Sequence, residues 1–158
     1  MRKSLVLALC VLALLAALPR ESQAAGPFNF YIRGGVITDQ DLSFSPFLWT
    51  IGANLDLNLG PILTLSPECD IIVYQFDFSP LWLAPAVLLN LRFSALYVGA
   101  GVGIFAILGS GGTLTSDPLF KLNGGIKLDS IKVQAYLYTP FDAFFSSIGI
   151  GATLGFGF

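Results

Sequence analysis

The sequence predicts an all-β protein, an eight-stranded antiparallel up-and-down transmembrane β-barrel that follows a cleaved signal peptide. Apolar and polar side chains alternate along eight short segments, and the chain begins with an apolar stretch typical of export signals. Because successive side chains of a strand point to opposite faces, this alternation gives each strand one apolar face. The charged residues inside the segments all share the polar face.

The N-terminal stretch has the features of a secretory signal peptide. Arg2 and Lys3 precede an apolar run at residues 5–18, and small residues follow this run. A span across a bilayer needs about 20 apolar residues, so an uncleaved anchor is the weaker alternative. We therefore expect residues 1–24 to be a signal peptide and residues 25–158 to form the barrel. The expected location is the cell outer membrane, reached by export through the periplasm.

The composition excludes several classes of protein. Hydrophobic residues make up 54% of the chain and charged residues only 11%, which is unusual for a soluble domain. The net charge is −2 and the basic residues form no cluster in the sequence, so nucleic acid is not expected as a partner. Cys69 is the only cysteine after the expected leader, which excludes a disulfide within the mature chain.

The eight segments share one pattern. In the second, Trp49, Ile51 and Leu55 lie on one face, and Thr50 and Asp56 lie on the other. The expected strands are residues 28–36, 47–59, 63–73, 81–93, 96–104, 120–128, 131–138 and 148–158. Because open sheet edges cannot be left unpaired in hydrocarbon, a set of antiparallel strands in a membrane is expected to close.

The connections between these segments alternate in length. The tight ones lie at residues 60–61, 94 and 129–130. The longer ones lie at residues 38–46, 75–80, 106–118 and 139–147. This asymmetry is typical of short periplasmic turns and longer external loops, and it places both chain ends on the turn side.

The charged residues of the strands predict an ion-pair network inside the barrel. A basic side chain that faces lipid at mid-membrane costs about 2 to 4 kcal/mol, whereas a polar interior offers it a carboxylate or water. The expected members of the network are Arg33, Asp56, Glu68, Asp70, Arg92, Lys121, Lys127 and Lys132. A catalytic pair among the three carboxylates is the alternative, but structural ion pairs are commoner in such interiors.

Some apolar residues fall on the polar face of their strands, which is expected to point into the barrel. They are Leu48, Ile72, Trp82, Leu88 and Phe105. If the barrel holds a narrow channel or a pocket, Leu48, Trp82 and Phe105 are the residues expected to line its entry. Inward glycines leave space that Tyr31, Tyr97, Tyr136 and Tyr138 either fill or only narrow. Eight strands enclose a space just wide enough for side chains, so a general diffusion pore is not expected.

The last strand carries a resemblance to a known family. Leu154, Phe156 and Phe158 alternate at the end of the chain and resemble the C-terminal assembly signal that the outer-membrane insertion machinery reads. The whole chain after the leader resembles the small eight-stranded outer-membrane barrels, a group that includes OmpX-like, OmpW-like and opacity-type proteins. This resemblance implies that the partners are outer-membrane lipid, lipopolysaccharide and the assembly machinery.

Two other folds compete with the barrel. A helical inner-membrane protein is conceivable because residues 94–116 are uncharged and long enough to cross a bilayer. However, Gly99, Gly101 and Gly103 recur with period two, which is not the spacing of helix-packing glycines. A soluble barrel of lipocalin type would need its apolar face inside and more charge outside.

The absence of one residue type argues against most catalytic and metal-binding functions. The chain contains no histidine, which removes the usual general base and the commonest transition-metal ligand. We therefore expect no enzyme, no cofactor and no metal site. Scattered aspartates in the loops could recruit a divalent cation that bridges lipopolysaccharide, but such acids are more often simply solvated.

Two functions follow from these observations. The first is a structural or surface-interaction barrel without catalysis, and the sequence favours it. The alternative is a narrow channel or a binding pocket for small or hydrophobic compounds, as the OmpW-like resemblance implies.

Overall fold

The computed structural model describes residues 27–39, 48–74, 77–109, 112–142 and 149–158. The expected signal peptide lies outside these residues. Within them, no helix has the length and apolar character needed to span a bilayer. The described chain consists almost entirely of antiparallel strands and short turns.

Ten strands follow one another along the chain. They are β1 (Phe28–Asp39), β2 (Leu48–Asn58), β3 (Leu63–Tyr74), β4 (Asp77–Phe93), β5 (Leu96–Gly103), β6 (Ala106–Gly109), β7 (Gly112–Thr115), β8 (Leu119–Leu128), β9 (Ile131–Pro140) and β10 (Gly149–Gly157). Eight of them, all except β6 and β7, pair in the cyclic order β1-β2-β3-β4-β5-β8-β9-β10, and β10 pairs with β1. The closed eight-stranded antiparallel barrel predicted from the sequence is therefore confirmed.

The strands β6 and β7 form a hairpin that extends the barrel wall at its loop end. Residues Ile104 and Phe105 interrupt the pairing after β5, and β6 then pairs with the first part of β4. The expectation that residues 75–80 and 106–118 are irregular loops was therefore wrong in part. The uncharged strands β6 and β7 continue the antiparallel ladder beyond the barrel, which pairs the backbone groups of β6 on both sides and those of β7 on one side.

The barrel is apolar outside and polar inside. In β1, Phe30 and Ile32 are 41% and 51% exposed, whereas Tyr31 and Arg33 are 0% and 3% exposed. The cross-strand register keeps this phase around the barrel, since Ile32 lies opposite Ala53 and Phe156. The soluble lipocalin-type alternative, which requires the reverse arrangement, was wrong. The helical alternative was wrong as well, because the described part of residues 94–116 forms β5, β6 and β7.

Four tyrosines fill the interior next to glycines on neighbouring strands. The opposed pairs are Tyr31 with Gly157, Tyr97 with Gly125, Tyr136 with Gly151, and Tyr138 with Gly149. A Cβ atom added at Gly151 would lie 2.2 Å from Cζ of Tyr136, and one at Gly157 would lie 2.6 Å from Cε1 of Tyr31. These rings occupy the volume that the glycines leave open, so they fill the lumen and do not merely narrow it.

Candidate functional site

The interior of the barrel is the candidate site, and it is built in three layers along the barrel axis. A turn-end cluster contains Asp56, Arg92, Lys127 and Lys132. A central cluster contains Arg33, Glu68, Asp70 and Lys121. A loop-end apolar layer contains Ile37, Ile72, Ala84, Tyr136 and Tyr138, against which Leu48, Phe105 and Leu119 pack.

The central cluster is electrically neutral and tightly bonded. The guanidinium of Arg33 donates to Asp70 through Nε at 2.8 Å and Nη2 at 2.5 Å, and to Glu68 through Nη1 at 2.5 Å. Lys121 approaches from the opposite wall, where its Nζ pairs with the other oxygen of Glu68. The side chains of Glu68 and Lys121 are fully buried. Glu68 thus connects two cations that come from different strands, β1 and β8.

The Lys121 ammonium is also held by the aromatic residues of the loop-end layer. Its Nζ donates to the hydroxyl of Tyr138 at 2.8 Å and lies 4.2 Å and 4.4 Å from the ring centroids of Tyr136 and Tyr138. Cation–π contacts of this kind gain strength when water is excluded. The central cluster and the apolar layer therefore form one continuous plug.

The turn-end cluster is organised around a single carboxylate. Asp56 Oδ1 accepts hydrogen bonds from Lys132 Nζ at 2.8 Å, Ser66 Oγ at 2.8 Å and Asn54 Nδ2 at 2.7 Å. Its Oδ2 accepts from Lys127 Nζ at 3.0 Å. The carboxylate therefore has little capacity left for a further donor.

Arg92 belongs to this cluster but takes no part in its ion pairs. Its Nη1 donates to Asn58 Oδ1 at 3.3 Å, and in the described part of the chain no carboxylate forms a salt bridge with it. Of the eight residues that the sequence placed in an ion-pair network, the structure brings seven into two ion-paired clusters. The eighth is Arg92.

The structure places two of the three residues expected at a pocket or its opening on one layer and the third at the rim. Leu48 and Phe105 pack on the loop-end apolar layer, and the rings of Phe105 and Tyr138 lie 5.0 Å apart. Trp82 pairs with Ile72 and Ile107 at the rim and remains 39% exposed. Two of the three side chains thus help to cover the lumen.

Within the described part of the chain, the space among the charged groups of the turn end is small. A cavity of about 10 Å³ lies in the turn-end cluster. Its lining residues are Asp56, Thr64, Asn90, Arg92, Tyr97, Lys127 and Lys132. Such a volume holds about one water molecule. A depression of about 250 Å³ lies at the β6–β7 hairpin, outside the lumen. Another of about 130 Å³ lies at the turn-end rim, where Tyr31 and Gly157 form part of its lining.

This architecture is similar to that of solved transmembrane β-barrels. The N-terminal β-barrel domain of OprF from Pseudomonas aeruginosa is similar, with a TM-score of 0.52 and 16% identity over 82% of this chain and 97% of that one. A de novo designed transmembrane β-barrel is also similar, with a TM-score of 0.50 and 8% identity over 87% of this chain and 100% of that one.

The fold is that of the small outer-membrane β-barrels. At these identities the likeness concerns the fold alone. No protein-family model matches the sequence, and no curated protein matches it significantly.

The residues of the expected assembly signal lie on the outside of this barrel. Leu154, Phe156 and Phe158 are 45%, 54% and 83% exposed, in the outward phase of β10 and just after it. The amide of Phe158 donates to the carbonyl oxygen of Phe30 at 2.9 Å, which extends the pairing of β10 with β1 to the last residue.

Sequence reasoning missed several partners of the charged groups. Asn54, Ser66 and Gln134 all hydrogen-bond to members of the clusters, with Gln134 Oε1 accepting from Arg33 at 3.3 Å. The alternation of side chains predicts that these three residues face the interior. Their contacts, however, depend on how the strands are staggered. Among the described residues, no group of three or more carboxylate or thiol side chains is arranged to hold a metal ion.

Proposed function

We propose that the protein is a closed, non-conducting barrel of the outer membrane, with a structural or surface-interaction role and no catalysis. The observation that carries this proposal is the packing of the described lumen, where two ionic clusters and the loop-end apolar layer connect strands across the barrel and the cavity among the turn-end charges measures about 10 Å³. A channel would need a continuous polar path, and a catalytic site would need room for a substrate.

The orientation follows from the connections. In this proposal residues 1–24 direct export, the tight turns face the periplasm, and the loop end faces outward. The outward apolar side chains of the strands contact membrane lipid and lipopolysaccharide. Surface interactions then involve the loops and the β6–β7 hairpin, whose Leu114 is 72% exposed.

Electrical recording tests the closed lumen. Refolded protein inserted into planar bilayers is expected to give no conductance steps, and liposomes that contain it are expected to show no solute-driven swelling. A sixteen-stranded porin in the same bilayer serves as the positive control, because its lumen is water-filled. Reproducible steps that scale with the number of inserted molecules would contradict the proposal in favour of the channel.

Deletion of Phe158 tests the assembly signal. We expect lower levels of the heat-modifiable barrel in the outer membrane and degradation in the periplasm. The reason is that the deletion removes the terminal aromatic residue that the insertion machinery reads. Refolding into detergent in vitro is expected to change little, since Phe158 is 83% exposed.

The matched control for this deletion is Phe28→Ala, which removes another outward aromatic near the same rim, 62% exposed. It is expected to assemble at wild-type levels. Equal levels of the deletion variant and the wild type in the outer membrane would refute the assignment.

A further inference from the structure

We propose that the turn-end mouth of the lumen binds a phosphate-type oxyanion through Arg92, Lys127 and Lys132. This proposal goes beyond the closed barrel inferred above, because a plugged lumen requires no ligand. It arises from an imbalance of charge that the fold creates by bringing together residues that are distant in the sequence.

The turn-end cluster contains three cations and one buried carboxylate. Asp56 already accepts four hydrogen bonds, including one from Lys127 and one from Lys132. Arg92 therefore has no carboxylate to pair with in this cluster. The other carboxylate nearby in the sequence, Asp129, lies exposed in the turn between β8 and β9.

The central cluster cannot correct this imbalance. Its two cations, Arg33 and Lys121, are matched by Glu68 and Asp70. Lys127 Nζ lies 5.2 Å from the ring centroid of Tyr31, and Lys132 Nζ lies 5.4 Å and 5.1 Å from those of Tyr31 and Tyr97. These contacts do not cancel the charge of the lysines, because an aromatic ring carries no net charge. Two positive charges thus remain in excess among the lumen groups of the turn end.

An excess of this kind attracts an anion strongly. The side chains of Lys127 and Lys132 are only 9% and 4% exposed, so water screens them weakly. Low-dielectric walls lined by charge of one sign concentrate counter-ions at the mouth that they surround. The loop end has the opposite character, because the described charged residues at its rim include the aspartates Asp39, Asp117 and Asp142.

The size of the cavity indicates where the anion binds, and the arrangement of donors indicates its chemical class. The cavity of about 10 Å³ is too small to enclose a phosphate, so the anion binds at the mouth, where Arg92 is only half-buried. A guanidinium offers a planar fork of donors that matches two oxygens of a phosphate group, and the two ammonium groups behind it add charge. Such a group belongs either to a free phosphate ion or to a lipid headgroup at the adjacent rim.

Phosphate titration monitored by NMR tests the proposal. The refolded barrel is placed in a maltoside detergent, which carries no phosphate, and sodium phosphate replaces sodium chloride at constant ionic strength. We expect a saturable displacement of the Arg92 Nε–Hε resonance. Arg92→Gln and, separately, Lys127→Gln are each expected to weaken apparent phosphate binding about tenfold, because each removes one charge-assisted donor.

Asp129→Asn is the matched control, because it removes an exposed charge of opposite sign at the same rim. It is expected to leave phosphate binding unchanged or slightly stronger. If Arg92→Gln does not refold, Arg92→Lys and Lys127→Gln provide the comparison. The absence of a saturable displacement in the wild type, or equal affinity in the wild type and both glutamine variants, would overturn the proposal.

Nanodiscs distinguish the two sources of the phosphate group. In discs of phosphatidylcholine with phosphatidylglycerol, a resonance that is already at its bound position before phosphate is added identifies a lipid headgroup as the ligand. A resonance that moves only when phosphate is added identifies the free ion. Both results support an oxyanion site at the mouth.

Discussion

Replacement of Gly101 by alanine is expected to destabilise the barrel by about 3 kcal/mol, at the upper end of the usual cost of overpacking. Gly101 lies on β5 with its hydrogen toward the lumen, opposite Leu88 and Lys121. A Cβ atom at this position would lie 1.9 Å from the carbonyl oxygen of Val87 and 2.7 Å from Cα of Leu88. Both atoms belong to the backbone of β4, so rotation of a side chain cannot relieve the overlap.

Relief would require β4 and β5 to separate, and a closed barrel resists this because every strand is paired on both sides. The measurement is the midpoint of urea unfolding of the refolded protein in lipid vesicles. The folded fraction is read from the heat-modifiable shift on a gel. The matched control is Gly124→Ala in β8, where the nearest atom to the added Cβ is 3.5 Å away. Gly124→Ala is expected to be neutral or slightly stabilising, because alanine restricts the unfolded chain. Equal midpoints for the two variants would contradict the close approach at Gly101.

Replacement of Glu68 by alanine is expected to cost about 3 to 5 kcal/mol, because it leaves a buried cation without its partner. Glu68 binds Arg33 at 2.5 Å and Lys121 on the other side of the lumen. Arg33 keeps both of its hydrogen bonds to Asp70. The destabilisation is therefore expected to come mainly from Lys121, which is fully buried and pairs with no other carboxylate in the described structure.

A double variant separates charge imbalance from lost packing. The double variant combines Glu68→Gln with Lys121→Met. Its central cluster is neutral, because only Arg33 and Asp70 remain charged, and the methionine is expected to contact the rings of Tyr136 and Tyr138. We expect this variant to recover about half or more of the stability lost in Glu68→Gln, since charge pairs in direct contact are not additive. The exposed substitution Asp129→Asn is the control and should leave the urea midpoint unchanged. A double variant as unstable as the sum of its single variants would show that Lys121 contributes through packing and not through its charge.

The phase of the strands explains why so much of the barrel was predictable. A period of two leaves only two choices for each strand, and one misplaced arginine in lipid is costly enough to decide between them. Arg33 and Glu68 were therefore assigned to the interior from neighbouring residues alone. The prediction failed where no such constraint acts, as at residues 106–118, where the β6–β7 hairpin stands beyond the barrel and neither lipid nor lumen imposes a pattern.

The sequence by itself determined the class of fold, the number of barrel strands and which side chains face inward, because each of these depends on local alternation and on the cost of charge in lipid. Only the tertiary structure decided which inward groups meet. Glu68 pairs with Lys121 over 53 positions, and Asp56 pairs with Lys132 over 76. Such contacts depend on the stagger of strands around a closed cylinder, which no single strand encodes. The same stagger collects Arg92, Lys127 and Lys132 around one carboxylate, a basic site that is invisible in a sequence without a basic cluster.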